Sequence, residues 1–337
     1  MQGRDERQPS GSLPLRTLGR TGLRVTPIGL GLAAVGRPAY ITLGRAADLG
    51  AERDIASMQR RTHALLDAAY AAGIRYVDVA RSYGLAELFL ATWLAGHPRE
   101  ADDLTIGSKW GYTYTGAWRL DAPVNEVKDH SLATLRRQLA ESRALLDGRL
   151  RLYQIHSATL ESGVLGDRDV LTELARLRDE GLAIGLTVSG PKQAETVRRA
   201  IGVEVDGVNP FGSVQATWNL LEPSVGAALA EAHAAGFGVL VKEALANGRL
   251  ARIEAVPDAL TDVARRHRAT PDAVAVAAVL ANPWADVVLS GAATVEQLAS
   301  NVGALDLRLD RDDLATLAAL AEPPERYWAE RSALAWA

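Results

Sequence analysis

Residues 76–84 read Tyr-Val-Asp-Val-Ala-Arg-Ser-Tyr-Gly, a short apolar run that ends in a carboxylate and continues into a loop with a tyrosine. An apolar run holds an unpaired charge only at high cost, so Asp78 is predicted to have a cation nearby. The best candidate is Lys109, which ends the next apolar run, residues 104–108. A lysine held near the phenol of Tyr83 is expected to lower its pKa, normally about 10, toward a value useful for proton transfer.

Similar short apolar runs recur along the chain, and amphipathic stretches with helical spacing separate them. Eight of these runs are predicted to be buried strands, at residues 27–32, 76–79, 104–108, 150–155, 183–188, 207–214, 238–241 and 286–289. The helices between them are predicted at residues 56–72, 87–94, 127–146, 170–180, 192–201, 224–235, 259–266 and 294–302. Alternating strands and helices imply right-handed crossovers and a parallel sheet. Eight such units favour a closed (β/α)8 TIM barrel, an α/β fold, over an open sheet.

Additions to the barrel are predicted at both ends of the chain. Residues 15–18 and 23–25 flank a Gly-Arg-Thr-Gly turn and are predicted to form a β-hairpin. Residues 271–280 and 311–320 are predicted to be extra C-terminal helices, whereas the Gly-rich segment after the first strand, up to Gly50, is too irregular for a helix. Residues 1–12 are polar and are expected to be a flexible leader, so residues 13–337 form a single barrel domain.

Polar side chains stand at the ends of six consecutive predicted strands. These residues are Asp78, Lys109, His156, Ser189, Gln215 and Lys242. Active sites of such barrels lie at the C-terminal ends of the strands, where these side chains would point at one mouth. The pattern therefore predicts a site at that end of the barrel.

The composition narrows the classes of function. The 337 residues carry a formal net charge of −4, which gives no electrostatic reason to expect nucleic acid or an anionic membrane as a partner. The chain has no cysteine, which excludes disulfides, thiolate catalysis and cysteine-based zinc sites, and no metal site is predicted. The first residues lack the apolar core of a signal peptide, and no stretch is long and apolar enough to span a membrane. A cytoplasmic protein is expected, and its oligomeric state is open.

The chain resembles the aldo-keto reductase superfamily in motifs that run from the N-terminal hairpin to residue 301. They are Asp78 with Tyr83-Gly84, Ser108-Lys109, Gln154-Ile155-His156-Ser157, Val188-Ser189, Gln215 with an aromatic residue three positions later, and residues 291–301. The resemblance implies a barrel that binds NAD(P)H and interconverts a small carbonyl compound and its alcohol. It also implies that Tyr83 is the general acid or base, that Lys109 lowers its pKa, that Asp78 anchors Lys109 and that His156 orients the substrate carbonyl.

The same resemblance assigns residues to the cofactor. Ser189 and Gln215 would hold the nicotinamide amide, and Trp218 would lie under the nicotinamide ring, where a tyrosine is more usual. The pyrophosphate would pass along residues 240–248, including Lys242, Leu245 and Gly248. Residues 291–301 would hold the adenosine phosphate end, through Gly291, Ala292, Gln297 and Asn301, and Gln297 and Asn301 would contact the adenine.

Three departures from the family pattern bear on the cofactor. Gly190 replaces an asparagine, and residues 241–245, Val-Lys-Glu-Ala-Leu, replace a Tyr-Ser-Pro-Leu run. Residues 290–301 contain no lysine or arginine, and Glu296 adds a negative charge. A 2′-phosphate requires a cation there. The family implies NADP(H), but NAD(H) stays open unless an arginine from residues 249–252 reaches in.

Several alternatives stay open at this point. The chain could be a cofactor-binding regulatory barrel with little turnover, or a Schiff-base aldolase that uses Lys109 or Lys242. Aromatic residues after Lys109, with Tyr40 in the first loop, either line a substrate pocket or pack within the loops. The C-terminal aromatic residues Tyr327, Trp328 and Trp336 either fold over the mouth or cover the side of the barrel.

Overall fold

A computed structural model describes residues 13–146, 148–252 and 254–337. The flexible leader predicted for residues 1–12 lies outside the described residues. Eight parallel strands close into a barrel in which each strand pairs with its neighbours in sequence and the last pairs with the first. These strands are β1 (Ile28–Gly31), β2 (Tyr76–Asp78), β3 (Thr105–Trp110), β4 (Leu150–Ala158), β5 (Ala183–Val188), β6 (Ser213–Thr217), β7 (Gly238–Lys242) and β8 (Val287–Ser290). The predicted (β/α)8 fold class is confirmed.

Helices surround the barrel because their apolar residues recur every three to four positions and face the strands. In the helix that precedes β5, for example, Val170, Leu174 and Leu177 are fully buried. The described helices are α1 (Arg45–Leu49), α2 (Ile55–Ala71), α3 (Ala86–Gly96), α4 (Pro98–Asp103), α5 (Leu132–Leu146), α6 (Arg168–Asp179), α7 (Gln193–Ile201), α8 (Gly226–Ala234), α9 (Asp258–His267), α10 (Pro271–Leu280), α11 (Val295–Gly303), α12 (Arg311–Ala318) and α13 (Pro324–Ser332). None of them combines the length and the apolar character that crossing a bilayer would require.

The N-terminal hairpin closes the barrel at the end opposite the mouth. Its strands, Arg16–Thr17 and Arg24–Val25, pair antiparallel as the sequence predicts. Leu18 and Val25 are fully buried against side chains that fill the barrel interior, among them Tyr76 and Leu240. Among the described residues the hairpin thus plugs the barrel below, and the C-terminal ends of the strands form the open mouth.

Two predicted boundaries need correction. The strand predicted at residues 207–214 begins only at Ser213, because Asp206 and Gly207 adopt positive φ angles in a tight turn and Pro210 follows. The helix predicted from residue 127 begins at Leu132. Residues Glu126–Lys128 instead form a strand that pairs with Tyr112–Tyr114.

The sequence reading missed three helices, one of which is Pro98–Asp103, just before β3. Arg45–Leu49 forms a short helix inside the segment judged too irregular for one. Pro324–Ser332 forms a further C-terminal helix, which begins with a proline at its first position, where the missing N–H is tolerated.

Candidate active site

The centre of the site is a chain of three side chains at the ends of β2 and β3. The ammonium group of Lys109 donates to the Asp78 carboxylate, to the Val79 carbonyl oxygen at 2.9 Å and to the Tyr83 hydroxyl oxygen at 3.2 Å. Lys109 and Asp78 are about 1% and 2% exposed, so both charges lie out of water and stabilise each other. The predicted pairing of Asp78 with Lys109 is present, and Tyr83 lies next to it.

Asp78 also accepts hydrogen bonds from three neutral side chains. The Tyr76 hydroxyl donates at 3.2 Å, the Gln154 amide at 3.4 Å and the Gln215 amide at 3.0 Å, all to Oδ2. These donors satisfy the carboxylate oxygen that does not face Lys109, which a buried carboxylate needs. The amide nitrogen of Gln215 is thus bound to Asp78, whereas the sequence assigns this side chain to the nicotinamide.

Two glycines set the position of Tyr83. Gly84 has φ +61°, a left-handed conformation that favours glycine, and the Leu85 N–H donates to the Gly36 carbonyl oxygen at 2.7 Å. A Cβ atom on Gly36 would lie 2.3 Å from the Tyr83 carbonyl oxygen, and one on Gly84 would lie 2.5 Å from the Gly36 carbonyl oxygen. The loop after β1 therefore holds the tyrosine loop by direct contact of two backbones.

We expect the Gly36→Ala variant to lower kcat about tenfold or more, because a displaced tyrosine loop moves the phenol away from its productive position. Overpacking of this kind also lowers the free energy of unfolding by about 1–3 kcal/mol. Steady-state kinetics and urea denaturation measure the two effects. Gly96→Ala is the matched control, since nothing lies within 4 Å of a Cβ there. Unchanged kinetics in Gly36→Ala would contradict the role of this contact.

His156 faces the tyrosine from the end of β4. Its ring packs edge-on against the Tyr83 ring with centroids 5.5 Å apart, and its Nδ1 lies 3.4 Å from the Ser82 hydroxyl. Burial, and next the Lys109 ammonium, hold the pKa of His156 well below its usual 6.5, so the imidazole is neutral near pH 7. His130 donates from Nε2 to the His156 carbonyl oxygen at 2.8 Å.

The pKa of Tyr83 differs from the expectation. Burial, and next the Asp78 carboxylate, raise the pKa of the phenol well above 10, while the Arg37 guanidinium acts in the opposite direction. The net shift is opposite in direction to the expected lowering, and the effect of Lys109 alone on this pKa stays a prediction. The carboxylate that anchors the ammonium offsets its charge at the phenol, and removal from water penalises the phenolate.

An elongated cavity of about 710 Å³ opens at the C-terminal mouth of the barrel. Its volume lies within the roughly 300–1,000 Å³ of small-molecule sites. The sequence-predicted residues that line it are Asp78, Tyr83, His156, Ser189, Gln215, Lys242, Leu245, Gly248, Gly291, Ala292, Gln297 and Asn301. Because β4 and β8 lie on opposite sides of the closed barrel, the cavity runs across the mouth from His156 to the helix after β8.

Two predicted residues are absent from this lining. Lys109 lies beneath Tyr83, as its tether to Asp78 requires. Trp218 needs correction: its ring does not line the cavity but packs edge-on against Trp284, with centroids 5.8 Å apart, beside Gly226 at the start of α8. Trp218 comes directly after β6, and its ring lies on the outside of the barrel. It therefore cannot lie under a nicotinamide in the cavity.

Aromatic and charged residues from distant parts of the chain form the wall near Tyr83. Tyr40 and Tyr112 line the cavity, which decides the open question of the loop aromatics in favour of the pocket for these two. Trp336 from the C-terminal tail also lines it and packs edge-on against Tyr40. The guanidinium of Arg37 lies 4.7 Å from the Trp336 ring centroid and 5.4 Å from that of Tyr83. The sequence reading missed Arg37, because a buried arginine in an irregular loop has no periodic signal.

The remaining tail aromatics do not reach the mouth. Tyr327 and Trp328 on α13 are buried against α9 and α10. Arg331 on the same helix lines the cavity and forms a partly buried ion pair with Glu243. The C-terminal segment therefore covers the side of the barrel with one part and contributes a wall of the cavity with another.

Lys242 brings a second amine to the cavity. Its Nζ donates to the Thr217 hydroxyl at 2.7 Å and lies 3.9 Å from Glu243. Burial lowers the pKa of Lys242 to about 8, against the opposing effect of Glu243. This group therefore changes its charge near physiological pH.

At the far end of the cavity, the side chains of Gln297 and Asn301 have partners within the protein. Gln297 accepts from the Ala293 N–H at 2.9 Å, and Asn301 donates to Asp272 at 3.0 Å and accepts from the Ser290 hydroxyl at 2.7 Å. Their contact with adenine stays a prediction. An arginine from residues 249–252 does reach this end, since Arg252 lines the cavity there.

The fold and the site define a class of protein: a parallel (β/α)8 barrel with a buried Asp–Lys–Tyr chain and a histidine at one end of a long mouth cavity. The model of the Aldo/keto reductase family matches residues 40–322. Protein tas of Escherichia coli is 27% identical over 310 residues, covering 77% of this chain and 88% of tas. The aldo-keto reductase str7 of Strobilurus tenacellus is 23% identical over 338 residues, covering 93% of each chain.

Solved structures agree with these matches. PA4992 of Pseudomonas aeruginosa, classed as an aldo-keto reductase, superposes with a TM-score of 0.64 at 26% identity, covering 89% of this chain and 98% of that one. The chain belongs to the aldo/keto reductase family. Membership implies NAD(P)H-dependent oxidoreduction of small carbonyl compounds.

Proposed function

We propose that this protein reduces an aldehyde or ketone to the corresponding alcohol with NAD(P)H, and that Tyr83 donates the proton. The observation that carries the proposal is the hydrogen bond of 3.2 Å from the Lys109 ammonium to the Tyr83 hydroxyl oxygen, at the inner end of the cavity. Since the ammonium donates to that oxygen, the phenol must direct its own proton to another acceptor. A substrate carbonyl oxygen in the cavity is such an acceptor.

The surrounding groups suit a reaction that builds negative charge on an oxygen. The raised pKa of Tyr83 keeps the phenol protonated, and its loss of a proton leaves a phenolate beside the Lys109 ammonium. A neutral His156 supplies a second hydrogen-bond donor without adding charge. Two donors that converge on the developing oxyanion stabilise it more than they stabilise the uncharged carbonyl.

The cavity fits an extended dinucleotide. When bound, the reduced nicotinamide supplies the hydride. Ser189 and Gln215 at the ends of β5 and β6 would hold its amide, Lys242 and Gly248 would face the pyrophosphate, and Gln297 would hold the adenosine end. Gln215 would keep its amide nitrogen on Asp78 and offer its carbonyl oxygen.

The test is consumption of reduced cofactor with a panel of small aldehydes and ketones. Turnover with any of them supports the proposal. Binding of cofactor without turnover across the panel favours the regulatory barrel. Borohydride trapping tests the aldolase alternative, in which Lys242 is the candidate amine, because Lys242 lines the cavity whereas Lys109 lies beneath Tyr83.

The two directions of the reaction are expected to depend differently on pH. A raised pKa means that Tyr83 is protonated at every pH below it, so kcat for reduction should not fall through loss of this proton between about pH 7 and 9. Alcohol oxidation needs the phenolate, whose fraction rises about tenfold per pH unit below the pKa, so its rate should climb with pH. Initial rates in both directions check this.

Lys242 is the control for this pH profile, because its pKa of about 8 lies in the same window. If the pH profile of the reduction rate has a step that is absent in Lys242→Met, that step reports the ionisation of the Lys242 ammonium. A fall in reduction rate with an apparent pKa near 8 that persists in Lys242→Met would place the proton donor elsewhere than Tyr83.

A further inference from the structure

The far end of the cavity is built around one carboxylate, that of Asp48. Asp48 lies on α1 and is about 14% exposed. The guanidinium of Arg252 and the side-chain amide of Gln297, at 2.9 Å, both donate to its Oδ2. Three elements far apart in sequence thus meet on a single acidic oxygen, and all three side chains line the cavity.

The segment that carries Asp48 is fixed over the residues that follow β7. The Leu43 N–H donates to the Asn247 carbonyl oxygen at 2.9 Å, and the Arg252 Nε donates to the Leu43 carbonyl oxygen at 3.2 Å. Gly44, with φ +71°, lies flat against the guanidinium, where a Cβ would be 2.2 Å from Cζ. The segment that carries Asp48 is therefore anchored beside Arg252, with which the Asp48 carboxylate is paired.

The charges at this end oppose a phosphate. Asp48, Asp272 and Glu296 line it, against Arg252, which is already paired. Arg60 and Arg61 line a separate hollow that shares Ala293 and Glu296 with the cavity, and Arg61 donates to the carbonyl oxygens of Asp48 and Leu49.

The N-terminus of α11, which could otherwise bind an anion, is partly capped by its own side chains. The Gln297 N–H donates to the Thr294 hydroxyl and the Ala293 N–H to the Gln297 side chain, while Glu296 occupies the first turn. A helix N-terminus attracts an anion through its orphan N–H groups and its dipole, and here Thr294 caps one of those N–H groups and Glu296 places a negative charge in the first turn. Both features disfavour a phosphate at this helix.

We propose that Asp48 makes this protein select NAD(H) over NADP(H); this inference rests on the proposed function, which places the reactive nicotinamide at Tyr83 and so the adenosine at the opposite end. A 2′-phosphate carries close to two negative charges at neutral pH and would meet an anchored carboxylate. A ribose 2′-hydroxyl is instead a donor, which an acidic side chain accepts. Both contacts of Asp48 among the described residues go to Oδ2, so Oδ1 is left to accept it.

The test is equilibrium binding of NADH and NADPH, followed by quenching of tryptophan fluorescence, for which Trp336 in the cavity wall is a reporter. Wild-type protein is expected to bind NADH about tenfold or more tightly than NADPH, the size of one unscreened like-charge contact. In Asp48→Asn, which keeps an acceptor for Gln297, NADPH should tighten about tenfold and NADH weaken severalfold. Glu296→Gln, at an exposed position, should shift the ratio of the two dissociation constants in the same direction by about twofold.

Asp102→Asn is the matched control, because it removes the same charge from an aspartate that pairs with Arg149 at 3.7 Å outside the cavity. Its ratio of the dissociation constants of NADH and NADPH should equal that of the wild type. Equal or tighter binding of NADPH by the wild type, or a ratio unmoved by Asp48→Asn, overturns the inference and leaves the proposed function intact. If neither cofactor binds, both are overturned.

Discussion

Replacing Tyr83 by phenylalanine should lower kcat for carbonyl reduction by about 10²–10⁴-fold, the usual contribution of a positioned general acid. The dissociation constant of the reduced cofactor should stay the same, because the phenyl ring keeps its packing against His156 and only the hydroxyl is lost. Lys109 keeps two of its three acceptors, Asp78 and the Val79 carbonyl oxygen, so the fold should survive. Stopped-flow hydride transfer and cofactor titration measure the two quantities separately.

Tyr153→Phe is the matched control for this variant. Tyr153 is fully buried on β4 and does not line the cavity, so its hydroxyl can be deleted without touching the site. Wild-type turnover in Tyr153→Phe together with lost turnover in Tyr83→Phe would assign the effect to proton donation. Turnover by Tyr83→Phe within a few-fold of the wild type would remove Tyr83 as the acid.

The barrel could be predicted from the sequence because its physical causes are local. A strand buried on both faces has a continuous run of apolar residues in the sequence. A helix that covers the barrel has apolar residues at a helical period. The predicted elements differ from the structure where a strand pairs with a segment distant in sequence, or where a turn interrupts an apolar run. Glu126–Lys128 is a strand only because Tyr112–Tyr114 lies beside it, and β6 begins late because residues 206–207 turn sharply.

The centre of the site could be predicted for a related reason. Asp78, Lys109 and His156 stand at strand ends, and parallel strands bring their C-terminal ends to one rim whatever the loops do. Residues on loops and tails have no such constraint. Arg37 and Asp48 therefore line the cavity without any signal in the sequence, and the outward orientation of Trp218 could be seen only in three dimensions.

The sign of the Tyr83 shift was missed because it depends on a balance of opposing effects. The sequence places an ammonium near the phenol, but it does not show how deeply the phenol is buried. It also does not show that the Asp78 carboxylate, which anchors the ammonium, raises the pKa of the phenol as well. The outcome favours a residue that holds its proton until a carbonyl oxygen takes it. It also ties the role of Tyr83 to the Asp78–Lys109 pair, whose disruption has the largest expected effect on stability.

Replacing Asp78 by asparagine should lower the free energy of unfolding by about 3–5 kcal/mol, because it leaves the Lys109 ammonium buried without its counter-charge. Turnover should fall at least tenfold, since an untethered ammonium no longer fixes the Tyr83 oxygen. Urea denaturation and steady-state kinetics measure both effects. Asp313→Asn is the control for stability alone: it breaks a buried carboxylate's contacts with Arg266 and His267, and it lies outside the cavity.

A double variant, Asp78→Asn with Lys109→Met, separates the two consequences. It removes both buried charges, so it should recover much of the stability lost in Asp78→Asn, as replacement of a buried ion pair by uncharged groups often does. It should recover none of the turnover, because no ammonium remains to hold the phenol. Activity that returns together with stability would show that Asp78 and Lys109 support the barrel and not the reaction. An Asp78→Asn protein as stable as the wild type would show instead that the charges of the pair are not coupled.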